Sequence, residues 1–220
     1  MTKITERGMI FNGEMVRAIL DGRKTQTRRI MNPQPADDIT RGYFPNMNTF
    51  GWKSSLKHKH GSTTAHFCPY GKHGDRIWVR ETWAEAGAGA PDLKIYRANY
   101  PAHVPSHYGN VPPAEDIRWK PSIHMPRWAS RITLEITGVR VERLNSISEE
   151  NARAEGVQPA GDLLPDYPDT YLTPTGDFAT AKVAFQRLWE SIYGDDSFQA
   201  NPWVWVIEFK RIEGDDHATD

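Results

Sequence analysis

Proline placement limits how this chain can fold more than any other feature. Six prolines fall between Asn99 and Pro126 (Pro101, Pro105, Pro112, Pro113, Pro121 and Pro126), four lie in the stretch 32–74 (Pro33, Pro35, Pro45 and Pro69), and a third group comprises Pro159, Pro165, Pro168 and Pro174. Each one lacks an amide hydrogen and has a fixed φ, so it breaks a helix and is excluded from most central-strand positions. Regular structure is therefore confined to short intervals between three excursions, at about 32–74, 99–126 and 157–176.

Those intervals carry clear periodicities. Met9 to Phe11 reads as a short apolar strand. Asn12 or Gly13 then opens a helix with Met15/Ile19 and Val16/Leu20 at i, i+4, and Gly22 stops it. From Arg23 to Ile30 the alternation predicts a strand with Thr25, Thr27 and Arg29 on one face. Gly74-Asp75 launches a strand over 76–83 with Ile77 and Val79 facing one way and Trp78 and Arg80 the other, and Lys94 to Ala98 is a weaker strand.

Trp128 to Leu144 has the strongest β pattern. Ile132, Leu134 and Ile136 alternate on even positions and Val139 and Val141 on odd ones, so the phase slips at Gly138, as at a β-bulge or a sharp barrel corner. Ser146-x-x-Glu149 is a capping box, with Ser148 as a competing cap, for a short helix closed by Gly156. Phe178, Ala181, Phe185, Leu188, Trp189 and Ile192 form the apolar stripe of a longer helix. The almost wholly apolar run from Pro202 to Phe209 predicts a strand covered on both faces.

The expectation is one domain over 1–220, a β-rich α+β fold built as a small barrel with peripheral helices and long Pro-rich loops. The 8 Trp, 8 Tyr and 8 Phe supply its core. A formal charge of -1 argues against coating DNA or an acidic membrane by bulk attraction, so a nucleic-acid or nucleotide contact would need a local site. Cys68 is the single cysteine, and no apolar run approaches the roughly 18 residues that span a bilayer. With no signal-peptide plan in MTKITERGMIFNGEM, the cytoplasm is the expected compartment and no membrane partner is expected.

The densest reactive cluster is Gly22 to Arg29. If Lys24 sits in the bend and Thr27 in the strand, both can point into one cavity, and a desolvated lysine could take the threonine proton. A solvated basic edge strand has the same composition. His58, His60, His66, Cys68 and His73 have the residue types of a zinc site but not its spacing, so no metal and no cofactor is expected. Tyr70 and Trp78 are candidates for stacking on a base, core packing being the other role for Trp78. Arg80 and Glu81 could read a cytosine edge or form a cross-strand ion pair, and Arg29 shares the predicted face of Thr27.

GRKTQTRR directly after an amphipathic helix, the Gly74-Asp75 turn into IWVRETW, the SEENARAEG helix and the closing VWVIEFKRI strand resemble the ASCH domain family in order and context, from about residue 9 to 212. The resemblance implies a PUA-like β-barrel associated with RNA. One branch of that family consists of small amidohydrolases acting on N4-acetylcytidine with a proposed Lys, Thr and Glu group. Its K-x-x-T falls on Lys24 and Thr27 and its glutamate on Glu155, and the three groups are then expected to meet in one pocket. Those enzymes are roughly half as long, the difference lying in the excursions. The implied partner is a small modified nucleoside. The alternatives are a non-enzymatic RNA-binding ASCH module and a ribonuclease acting on single-stranded RNA.

Overall fold

The computed structural model describes residues 4–57, 63–87, 89–90 and 92–212. In chain order the elements begin with β1 (Glu6–Ile10), α1 (Gly13–Leu20), β2 (Gln26–Ile30), β3 (Thr40–Phe44), β4 (Thr49–Ser54), β5 (Thr64–His66), β6 (Arg76–Arg80), β7 (Trp83–Glu85) and β8 (Lys94–Tyr96). They continue with β9 (Thr133–Arg143), α2 (Glu149–Ala154), β10 (Gln158–Pro159), β11 (Tyr171–Leu172), β12 (Phe178–Ala179), α3 (Ala181–Tyr193) and β13 (Trp203–Ile212). The result is a β-rich α+β fold.

Five strands form the main sheet in the order β1-β6-β9-β13-β2. Its longest ladder, β9 with β13, shifts register where Glu208 faces Gly138 and Phe209 faces Ile136, so Thr137 is the extra residue. This is the phase slip read from the sequence. An extra residue moves the apolar set from even to odd positions without turning it off the core. β13 is buried on both faces. Trp205, Ile207 and Phe209 enter one cluster with Phe11, Ile77, Val79, Leu134 and Ile136, while Val204 and Val206 enter another with Phe185 and Trp189 of α3.

The closed barrel is not formed. β1 and β2 are the two edges, joined through α1, and among the described residues no backbone ladder links them. The edges meet instead through a side chain: Arg29 Nη2 donates to Ile10 O at 3.0 Å, and its guanidinium lies 5.5 Å from the centre of the Phe11 ring. A bulky cation in the seam stands where ladder bonds would close a barrel.

α1 is capped by Asn12, whose side chain accepts from Met15 N, and Gly22 leaves the helix at φ 74°. For α2 the competing cap wins: Ser148 accepts from Asn151 N, while the Ser146 hydroxyl donates to Arg143 O. α3 starts at Ala181, so Phe178 lies outside it in β12 and is exposed.

Two excursions hold more order than loops. The 32–74 stretch contains a three-stranded sheet, β3-β4-β5, and 157–176 contributes β10 and β11 to a second one with β12. The 99–126 stretch forms short 3-10 turns and one isolated bridge, from Lys120 to Trp83, in keeping with its proline density. Among the described residues no helix is long and apolar enough to cross a membrane.

Candidate active site

The bend between α1 and β2 is tied to the end of α2 by main-chain bonds. Lys24 N donates to Ala18 O and Thr25 N to Ala154 O, each at 2.9 Å, and Lys24 and Glu155 form an isolated β-bridge. Gly156 makes this approach possible. It has φ 86°, and a Cβ there would lie 2.8 Å from both the Ala18 and the Lys24 Cβ. Only glycine satisfies both the backbone conformation and the space.

Lys24 Nζ donates to Glu155 Oε2 at 2.9 Å and to Glu155 O at 2.7 Å. The other carboxylate oxygen is taken by Arg28 Nη1, also at 2.9 Å. Side-chain exposure is 0% for Lys24 and 3% for Glu155. Burial is the largest influence on the Lys24 ammonium and lowers its pKa, against the opposing pull of Glu155, with Arg29 and Arg28 adding to the lowering. The amine is thereby brought closer to proton exchange than a surface lysine.

The pair is one end of an alternating chain of charges. Arg28 Nη2 donates to Glu142 at 3.0 Å, Arg140 Nε to Glu142 at 2.5 Å, and Arg140 Nη1 to Glu208. Side-chain exposure rises along this chain from 0% at Arg28 to 46% at Glu208. Arg140 also reaches Gln26 Oε1 and Asn151 Oδ1, and Gln26 Nε2 donates to Asn151 O, so α2 lies over this face of the sheet. Sequence reasoning passed over Arg28, Arg140 and Glu142. Strand alternation held a signal for Arg28, since it must face opposite Thr27 and Arg29.

Thr27 faces the other way. It pairs with Ile207, on the inner face with Trp205, whereas Arg28 pairs with Val206 on the face beneath α3. Thr27 is 1% exposed, and its hydroxyl has no hydrogen-bond partner among the described residues. The structure thus brings Lys24 and Glu155 together and leaves the Thr27 hydroxyl unbonded to either. The strand pleat is the reason: Arg28, not Thr27, is aimed at the second carboxylate oxygen. A cleft of ≈ 450 Å³, a size within the range of small-molecule sites, touches the pair on its Glu155 side and is lined among others by Met15, Arg17, Glu155, Gly156, Val157 and Thr173, with Lys24 enclosed behind it.

The other sequence candidates are dispersed. Arg29 is on the Thr27 face, in the seam already described. Tyr70 is half-buried against the inner cluster, and burial raises its hydroxyl pKa, with the charge of Arg29 opposing. Trp78 covers Gly8 on the opposite face of β6, its ring lying where a Gly8 Cβ would be. The Arg80 guanidinium sits 5.4 Å from the Trp78 ring centre and donates to Ile123 O. Glu81 does not pair with Arg80. It is buried in a bidentate pair with Arg131, both bonds 2.9 Å, and the guanidinium lies 4.0 Å from the Tyr96 ring centre. Burial raises the Glu81 pKa and Arg131 opposes.

His58 and His60 lie outside the described residues. His66 is buried and bonded to Ser54 Oγ at 2.9 Å, Cys68 is partly buried with a thiol pushed up to about 11 by burial, and His73 is exposed. Among the described residues no three His, Cys, Asp or Glu side chains are grouped to hold a metal ion. No protein-family model, curated protein or solved structure matches the chain.

Proposed function

We propose that the chain is an ASCH-type, PUA-like protein of the cytoplasm that hydrolyses the exocyclic amide of N4-acylated cytosine nucleosides, with Lys24, Thr27 and Glu155 as its reacting group. The observation that carries this reading is the Lys24 ammonium. It is wholly enclosed, lowered in pKa by burial, and held 2.9 Å from a carboxylate whose other oxygen Arg28 occupies. The adjoining cleft offers room for a nucleoside, and the buried Thr27 hydroxyl is uncommitted.

Amide hydrolysis needs a nucleophile, a proton acceptor that later protonates the leaving amine, and a group that holds the acceptor. In this scheme neutral Lys24 takes the Thr27 proton as Oγ1 attacks the acyl carbon. The resulting ammonium gives that proton to the departing cytosine nitrogen, and water releases the acyl group from Thr27. Glu155 orients the amine throughout. Thr27 and Arg28 face opposite sides of β2, so a shift of the 23–25 bend on substrate binding that carries the Lys24 amine toward the Thr27 side is required. The competing proton route keeps Lys24 charged against the oxyanion while Glu155 activates a water.

Thr27 substitutions separate the two routes. A nucleophilic threonine predicts substantial activity in Thr27→Ser, near-complete loss in Thr27→Ala, and an acyl adduct on residue 27 by mass spectrometry. If Thr27→Ala keeps most of the rate while Lys24→Ala and Glu155→Ala do not, the water route replaces it. Activity should survive a chelator, because none of the three roles uses a metal.

A further inference from the structure

The sheet built by the 32–74 excursion has an outward face that the hydrolytic site does not use. Arg41 pairs with Trp52 and Tyr43 with Phe50 across β3 and β4, so all four side chains share one face. Its inner end is sealed by Trp52, which packs on Trp205 with ring centres 5.1 Å apart. Its outer end projects into solvent, with Tyr43 52% and Phe50 58% exposed. Phe67 covers the opposite face, its ring 2.4 Å from where a Gly51 Cβ would be. The platform is therefore packed from behind and bare in front.

Positive charge is arranged around those rings. The Arg41 guanidinium lies 5.1 Å from the Phe50 ring centre and 5.6 Å from that of Trp52. A cleft of ≈ 850 Å³ continues from the platform and is lined by Arg7, Arg41, Phe50, Lys72, His73 and Asp75 along with apolar groups. Asp75 is the carboxylate in that lining, and it is buried and already bonded to Thr5 N and Lys72 N, with Arg7 at 3.6 Å. Among the described residues Arg41 and Lys72 have no carboxylate partner.

Exposed planar rings interleaved with unpaired cations meet the two demands of a single nucleic-acid strand, a π-face for each base and a positive track for the phosphates. We infer that the outward face of β3 and β4, with the cleft beside it, binds single-stranded nucleic acid. Bases stack on Tyr43 and Phe50 while Arg41, Arg7 and Lys72 hold phosphates. The chain's formal charge of -1 confines this contact to the patch. The inference is independent of the Lys24 chemistry.

Anisotropy of labelled oligothymidylate and oligouridylate of about ten nucleotides tests it. Three phosphate contacts predict a slope of log K against log salt of about -2. Tyr43→Ala and Phe50→Ala should each weaken binding by about fivefold or more, and Tyr43→Phe should restore it, because the stacking ring and not the hydroxyl is used. Arg41→Gln should flatten the slope by about 0.7. Both rings are exposed, so these variants should keep the wild-type circular dichroism and N4-acetylcytidine turnover. No binding at low salt, binding indifferent to the ring substitutions, or equal binding of polyglutamate would each overturn the inference, the last by showing a general anion surface.

Discussion

Replacing Thr27 by valine separates stability from chemistry at one atom. Thr27 is 1% exposed, and among the described residues its hydroxyl lacks a hydrogen-bond partner. A hydroxyl enclosed without a partner costs about 1–3 kcal/mol in proteins, and valine replaces it by a methyl group of the same shape with the same β-branched preference for a strand. Thr27→Val should therefore stabilise the fold by about 1–2 kcal/mol, or about 4 °C in Tm for a chain of this size. Hydrolysis should be lost if Oγ1 is the nucleophile. Urea unfolding reads the first effect as a higher midpoint at unchanged slope, and turnover reads the second. Destabilisation by more than about 1 kcal/mol would show that the hydroxyl is bonded after all and would refute the reasoning. Retained turnover would remove Oγ1 from the reaction.

The charged pair gives an ordered prediction: Glu155→Gln strands two buried cations and should cost about 3–5 kcal/mol, whereas Lys24→Met leaves Glu155 with Arg28 and should cost about 1–3 kcal/mol. Denaturation midpoints in the reverse order would contradict the geometry. The pKa of Lys24 is lowered from 10.5 by burial, so between its folded value and 10.5 the unfolded chain binds more protons and stability rises with pH through that window. Urea midpoints measured up to about pH 10 should show a rise that Lys24→Met lacks. Gly156→Ala meets two Cβ atoms at 2.8 Å with φ 86° and should destabilise by about 2–4 kcal/mol, measurable by thermal unfolding.

Local signals carried much of the fold. Asn12 and Gly22 bracket α1 as their chemistry demands, the phase slip at Gly138 is a register shift, and the apolar run after Pro202 is a doubly buried strand. The insertion sheet was hidden because Pro33, Pro35, Pro45 and Pro69 made the whole stretch read as a surface excursion. Gly51 is small because the Phe67 ring lies over it, a packing reason that periodicity cannot express. Barrel closure failed as an expectation because the Arg29 and Phe11 seam depends on where two sheet edges arrive. At the site, Lys24 and Glu155 are separated by more than a hundred residues yet were paired through the family resemblance. Arg28 was within view and missed, although alternation already set it apart from Thr27. The Arg131 partner of Glu81 had no local signal at all, since the bidentate pair spans fifty positions of chain.

The central claim is that the enclosed Lys24 and Glu155 pair is a reaction centre for a small N4-acylated cytosine nucleoside. Release of cytidine from N4-acetylcytidine by purified protein, followed over many turnovers at low and high salt, tests it most directly. The account predicts turnover that is indifferent to salt, because a neutral nucleoside brings no phosphates, and that is abolished in Lys24→Met and Glu155→Gln variants shown to be folded. No turnover by the wild-type chain, or turnover that persists in both folded variants, would contradict it.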